Sequence, residues 1–495
     1  MPRKNNSTSA AKRISVDIHM YRLKELGDCF LLTFNKDKTQ SHVLIDCGSF
    51  RNSKTSIDRL KKIVGDIKQK VSAEGLEVVI GTHQHNDHLS GFLHCQKDFE
   101  DMNIRQVWLS WLDNPKDSVA RKVRESQKNF SDTLNLIGKK LGDPKSSVKD
   151  AEMQMQIEDV LGFYHGDSAL LGAAGPPVVP EEATKFLKRL GQEPVNYLQP
   201  GQIVGLPGLE KEVRIFVLGP PKNTSLLFDI HPTREETFDP KLAAAQVQAE
   251  KFLDALNNQG ADIDRVERHF PFNDTFKRII PQGDQKDQRK NVLSENLKVI
   301  MNIYEQQDTW RRIDGEWLQQ AGRLALFLDS YTNNSSLVLA IELIKSGKVL
   351  LFVGDAQTGN WLSWKDIKWN TEEIDKDFKT FDLLHNTVLY KVGHHASHNA
   401  TLVEGLEAMT REDLIAMIPV HKDDPNITKE NGWKMPAQNL YRNLKQKTNK
   451  RVLRMDDGYA DQCDPSKDAE VKKNWSDSGA EIDISELIVK CTIMG

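Results

Sequence analysis

The chain has 495 residues, of which 38% are hydrophobic, 28% charged and 7% aromatic, a composition that supports a packed core and excludes wholesale disorder. With 67 Lys and Arg against 71 Asp and Glu the net charge is −4, so coating of nucleic acid by bulk positive charge is excluded and only a local basic groove is left for that purpose. No apolar run reaches membrane-spanning length, the polar N-terminus lacks the apolar segment of a secretory signal, and the five cysteines show no C-x-x-C spacing, which together predict a cytoplasmic protein with reduced thiols and no membrane partner.

Residues 1–13 read as a disordered tail, and 14–495 as one α/β domain interrupted twice. The first part is strand-rich: SVDIHMYRL, DCFLLTFN and HVLIDCG carry the alternation and β-branched content of strands. A helix follows over 56–71, with Leu60, Ile63, Val64, Ile67 and Val71 on one face,. EVVIGT is a short buried strand and RQVWLSWL another. Two stretches, about 113–212 and 229–322, turn helical and read as insertions. The first holds a helix that starts after Pro180 and stops at Gly191, and the second a helix opening at Asp239 and Pro240,. Between them lies the strand VRIFVLGPP. The strands RLALFLDSY, SLVLAIELI, KVLLFVGDA, TVLYKVGHH, LIAMIPV, RVLRM and ELIVKCTIM follow, with a helix around Pro436 to Gln446.

The 14 histidines are not scattered: three fall in His83–His88 and three in His394–His398. The run Thr82-His83-Gln84-His85-Asn86-Asp87-His88 sits immediately after a buried strand, the usual place for an α/β active site. On an extended turn His83 and His85 face one ion, while Asp87 and His88 turn to a second beside it. Imidazole with carboxylate suits zinc, manganese or iron better than magnesium. The bland alternative is a solvated polar loop, which the density of ligand types outweighs.

HQHNDH matches the HxHxDH motif of the metallo-β-lactamase superfamily. Further elements follow in order: Asp46 in VLIDCG, Asp355 in LLFVGDA, and His394 or His395 in LYKVGHHASHNAT. The chain therefore resembles that superfamily. The resemblance implies an αββα sandwich with one or two divalent ions, Zn or Mn, at one edge of two facing sheets. The implied metal residues are His83, His85, Asp87, His88, Asp355 and His394 or His395. GDCFLL, VLIDCG, NNSSLVLAIE, LLFVGDA and YKVGHHASHNAT together resemble the hydrolase domain of bacterial competence DNA-uptake proteins, over about 14–112, 213–228, 323–356 and 388–455. The membrane channel of those proteins has no counterpart in this sequence. Many superfamily members place a third histidine for the first ion in a PGHT turn. Here VRIFVLGPPKN has Pro220 and Pro221 instead, and the competence-type domains resemble this chain in that. The first ion is then left with His83, His85, Asp355 and water, or with a distant residue such as His165. An open coordination position favours a labile ion such as Mn²⁺.

Three residues are expected to act in catalysis. Asp87 holds and orients a metal-bound hydroxide, Asp46 orients a ligand histidine from behind, and Lys391 meets a phosphate oxygen unless it is a solvated strand-edge charge. Ser397 and His398 extend the second cluster toward substrate, and His421 ends a strand near the same edge. Asn334 and Ser336 are turn formers of interest only through the family pattern. Two ions about 3.5–4 Å apart acidify a shared water and clamp both oxygens of an in-line displacement. The leading reading is a metal-dependent phosphodiesterase or nuclease acting on DNA or RNA. A hydrolase of a cyclic nucleotide, phospholipid head or ester competes with it, and the net charge of −4 favours that alternative slightly, because a nuclease needs a cationic track. A third reading is a partner-binding module with a degenerate metal site. The insertions either restrict entry to small or single-stranded substrates or bind a protein partner.

Overall fold

Period-two stretches of the chain form strands that sort into two eight-stranded sheets. The computed structural model describes residues 14–125, 127–128, 160–164, 179–227, 328–369, 378–429 and 432–495. One sheet has the order β15 (Glu481–Ile484), β16 (Ile488–Met494), β1 (Ser15–Tyr21), β2 (Cys29–Lys36), β3 (Thr39–Cys47), β4 (Leu76–Ile80), β5 (Ile104–Ser110), β6 (Asn196–Leu198). The other has the order β14 (Gly458–Tyr459), β13 (Val452–Arg454), β12 (Ile415–Ile418), β11 (Thr387–Lys391), β10 (Lys348–Phe352), β9 (Val338–Leu343), β8 (Val213–Gly219), β7 (Ile203–Gly205). Strands β3 to β6 are parallel, as are β10 to β13. The architecture is mixed α/β.

Alternation along the strands divides the core. Leu339, Ile341 and Leu343 of β9, with Leu350 and Phe352 of β10, join a cluster shared with Val16, Ile18 and Phe30 of the first sheet. Val338, Ala340, Val349 and Leu351 point the other way, into a second cluster with Trp361, Leu384 and Leu440. The two sheets touch directly where the Phe30 ring meets Phe352 edge-on, with centroids 5.7 Å apart. Helix α1 (Lys54–Lys70) begins where Ser53 accepts a hydrogen bond from the Ser56 backbone, and it lays Leu60, Ile63, Val64 and Ile67 into the first cluster,.

The topology brings six chain segments to one edge. Parallel β3 and β4 both end there, and so do β10 and β11. Strand β2 begins there, because it is antiparallel to β3 and Cys29 pairs with Cys47. Helix α2 (Asn86–His94) starts from the loop after β4.

Three expectations from the sequence change. Residues 179–212, read as part of the first insertion, supply the helix Val179–Leu187 and the edge strands β6 and β7. At three residues each, those strands are too short to show a period. RLALFLDSY is not a strand at its described end: residues 328–334 are helical. Thr332 Oγ1 donates to Leu328 O at 3.1 Å and Asn333 Nδ2 to Asp329 Oδ2 at 3.1 Å. A short apolar run does not distinguish helix from strand by itself. Finally, Asp87 and His88 lie in the first turn of α2, buried, and not on an extended loop. The 1–13 tail, the 229–322 insertion and His165 fall outside the described residues. Among the described residues no helix is long and apolar enough to cross a membrane.

Phe352→Ala should open a cavity between the sheets and cost about 3–5 kcal/mol, read as a lower urea midpoint. A midpoint equal to wild type would contradict the packing of the sheets at this ring.

Candidate metal centre

Each functional side chain sits where a strand has just ended or is about to begin. Asp46 is the penultimate residue of β3, at φ 54°. His394 and His395 follow β11 at φ 42° and 49°. Non-glycine residues in this region are uncommon and recur at functional sites. Asp355 lies in the turn after β10. Asp28 immediately precedes β2, and its backbone N–H donates to Asp87 O at 2.8 Å. Gly48 lets the end of β3 press against the start of α2: a Cβ there would stand 2.3 Å from His88 N.

Hydrogen bonds to the surrounding chain orient these groups. Asp46 Oδ1 accepts from Thr82 N at 2.8 Å, and its Oδ2 accepts from Thr82 Oγ1 at 2.7 Å. The same Oδ2 lies 2.8 Å from His88 Nδ1. That carboxylate holds the proton on Nδ1 and leaves His88 Nε2 to face the centre. His395 does likewise: Nδ1 donates to Pro419 O at 2.6 Å, while Nε2 lies 2.9 Å from Asp87 Oδ2. Asp355 Oδ1 accepts from His394 N at 2.9 Å, and the Asp355 N–H donates to Ser336 Oγ at 3.0 Å.

The ligand atoms of Asp28, His88, Asp355 and His395 all lie within 4.8 Å of one another, and all four residues are buried. His88 Nε2 and Asp355 Oδ2 are 3.1 Å apart, yet neither forms a hydrogen bond, and Asp28 Oδ1 and Asp87 Oδ1 are also buried without a partner. Buried polar atoms are ordinarily satisfied. Asp28, His88, Asp355 and His395 together offer ligand atoms to one cation. Two imidazole nitrogens with carboxylates suit a divalent transition-metal ion, so this cluster can hold a metal.

The electrostatics make the same demand. Among the described residues, Asp28, Asp46, Asp87 and Asp355 are buried beside a single buried ammonium, that of Lys391. Burial opposes charge on His395, but Asp355, Asp87 and Asp28 outweigh it and push the imidazole up to about 9. His88 behaves alike: burial is overcome by Asp355, Asp87, Asp28 and Asp46, and it is raised well above the usual range. His85 and His394 go the other way, taken by burial to about 3 and about 4. Burial holds His83 well below its ordinary value too.

The structure brings His83, His85, Asp87, His88, Asp355 and His395 to this edge. His83 Nε2 lies 3.1 Å from His85 Nδ1. His394 is turned aside: its Nδ1 accepts from Gln357 Nε2 at 2.9 Å and lies 2.7 Å from Ser397 Oγ. Of the two adjacent histidines, His395 is therefore the one in the cluster. Lys391 is neither a solvated edge charge nor free for a phosphate. It is 1% exposed, and its ammonium is engaged by Gly354 O at 2.7 Å, Asp355 Oδ1 at 3.4 Å and Asp28 Oδ2. Ser336, a turn former by sequence, joins His83 Nδ1 at 3.2 Å to the Asp355 backbone. At the end of β8, Pro220 O accepts from Trp111 Nε1 at 3.0 Å. Sequence reasoning missed Asp28 and Asp329. Asp28 had a signal, since the β2–β3 hairpin sets it opposite the end of β3. Asp329 had none. Neither protein-family models nor the sequences of curated proteins match this chain.

Ion binding must displace the protons that His88 and His395 hold. Apparent Mn²⁺ affinity should therefore rise with pH until about 9, the value for His395, and protons should be released on binding. Calorimetry in buffers of different ionisation heat measures both. Affinity independent of pH below that value would contradict the cluster as the binding site.

Proposed function

We propose that this chain is a metal-dependent hydrolase of the metallo-β-lactamase fold that cleaves phosphodiesters, with DNA or RNA as leading substrate. The observation that carries the reading is the convergence of His88, His395, Asp355 and Asp28, with partnerless buried ligand atoms, at an edge shared by two packed sheets. The resemblance of the HxHxDH run and of the strings around Asp46, Asp355 and His395 supports the family and substrate class proposed. Zn²⁺ or Mn²⁺ bound there would supply an acidified water and positive charge to offset the anionic transition state.

The protein's own groups have separable tasks. Asp87 Oδ2 is tied to His395, and its Oδ1, buried and unpartnered, is left to accept a proton from the attacking water and aim its lone pair at phosphorus. Asp46 fixes His88. Lys391 offsets the charge of Asp28 and Asp355 and holds both carboxylates in place. A second reading, hydrolysis of a cyclic nucleotide or ester, is favoured by the enclosure of the site: His85, Asp87, His88 and His395 are fully buried. The helical turn 160–164 contributes to that cover, with Phe163 tilted over His85 at 5.0 Å and stacked on Trp433 at 5.2 Å.

Wild type and Asp87→Ala should be compared with added Mn²⁺ on single-stranded DNA, RNA, bis-nitrophenyl phosphate and cyclic nucleotides. Asp87→Ala should lose roughly 10³-fold in rate while keeping its circular dichroism. Cleavage of nucleic acid should weaken as salt rises, because phosphate contacts release counterions. Turnover confined to cyclic nucleotides selects the second reading. Equal cleavage by both proteins contradicts the proposal.

A further inference from the structure

We propose that Tyr164, carried by the first insertion, is a positioning residue for His85: its hydroxyl holds the proton on His85 Nε2 and so turns Nδ1, bare, toward an ion shared with His83. The inference rests on the metal-dependent reading above and concerns the ion at the start of the HxHxDH run.

Consider first His83. Its Nδ1 lies 3.1 Å from Thr82 Oγ1, and the Thr82 hydroxyl spends its own proton on Asp46 Oδ2 at 2.7 Å. The hydroxyl is left only to accept, so it takes His83 Nδ1–H; Ser336 Oγ, 3.2 Å from the same nitrogen, shares that proton, and His83 Nε2 is left bare,. That nitrogen faces His85 Nδ1 at 3.1 Å.

The other side of His85 meets the insertion. His85 Nε2 lies 3.2 Å from Tyr164 Oη. Tyr164 Oη lies 2.5 Å from Thr332 Oγ1 and 3.3 Å from Leu328 O, and Thr332 Oγ1 lies 3.1 Å from Leu328 O. The relay ends on a carbonyl, which only accepts. Its protons run outward: Thr332 O–H to Leu328 O, Tyr164 O–H to Thr332 Oγ1, and His85 Nε2–H to Tyr164 Oη. Asp329 Oδ1, buried and without a hydrogen-bond partner, stands 4.0 Å from the same nitrogen. His83 Nε2 and His85 Nδ1 then present two lone pairs to one point 3.1 Å apart, an arrangement a cation relieves. Outer partners of this kind set the tautomer and basicity of a ligand histidine. Here the partner comes from the helical turn 160–164, so a segment outside the two sheets would tune the metal edge beneath it.

The test is a Mn²⁺ titration of wild type, Tyr164→Phe and His83→Ala, with histidine ¹⁵N spectra of the ion-free proteins. Phenylalanine keeps the ring against His85 and removes only the hydroxyl. Wild type should bind two ions, and His83→Ala should lose one of them. Tyr164→Phe should keep the ion at His88 and His395 at wild-type affinity and bind the other about 10–100-fold more weakly. The spectra should show His85 as the Nε2–H tautomer in wild type and a mixture in Tyr164→Phe. Wild-type affinity for both ions in Tyr164→Phe, or an Nδ1–H tautomer in wild type, overturns the role of Tyr164 and leaves the hydrolase reading intact. A wild type whose ion count is unchanged by His83→Ala overturns the inference by removing the ion it concerns. No binding of Mn²⁺ at all defeats the metal-dependent reading itself.

Discussion

Burying like charges together is the costliest act in this structure. Asp28, Asp46, Asp87 and Asp355 are each at most 1% exposed, and an isolated buried carboxylate costs several kcal/mol unless it is paired. Lys391 answers part of that charge, and the raised His88 and His395 answer more by taking protons. The fold is arranged to make this crowding unavoidable. The two sheets share a core, β3, β4, β10 and β11 end on one side, and each of those endings carries an acid or an imidazole. A metal ion held there would meet Asp28, His88, Asp355 and His395 at once.

Hydrogen bonding then decides which atoms are offered. Asp46 takes the Nδ1 proton of His88, and Pro419 O takes that of His395. Ser336 reaches both His83 and the Asp355 backbone. Chemistry and scaffold share these contacts: the groups that aim the ligands also tie β3, β10 and β11 to the loops beyond them. Substituting an outer partner should therefore disturb affinity before it disturbs the fold.

Most core strands could be read from the sequence, because SVDIHMY, TQSHVLIDC and VLAIEL are short runs rich in β-branched and apolar residues, and their central and C-terminal positions are buried on both faces,. The short edge strands β6 and β7 could not, since three residues flanked by Pro194, Pro200 and Gly201 have no period to read. The HxHxDH run stood out through its density. Lys391 misled because a lysine on a strand looks like a solvated edge, and only the pairing of β10 with β11 shows that its neighbours are carboxylates. Asp28 is visible only once the β2–β3 register is known. Tyr164 lies within the first insertion and Asp329 just past the second, where local pattern carries no information about what they meet in space.

The central claim is that the buried acids and imidazoles are a metal site, and thermal unfolding with and without Mn²⁺ tests it most directly. An ion that binds the native chain alone stabilises it by RT ln(1 + [L]/Kd), about 2.7 kcal/mol at a hundredfold excess over Kd. Wild type should melt several degrees higher with Mn²⁺ than with chelator, and the double variant His88→Ala, His395→Ala should melt at one temperature in both. A wild type whose melting temperature is the same with ion and with chelator would contradict the account.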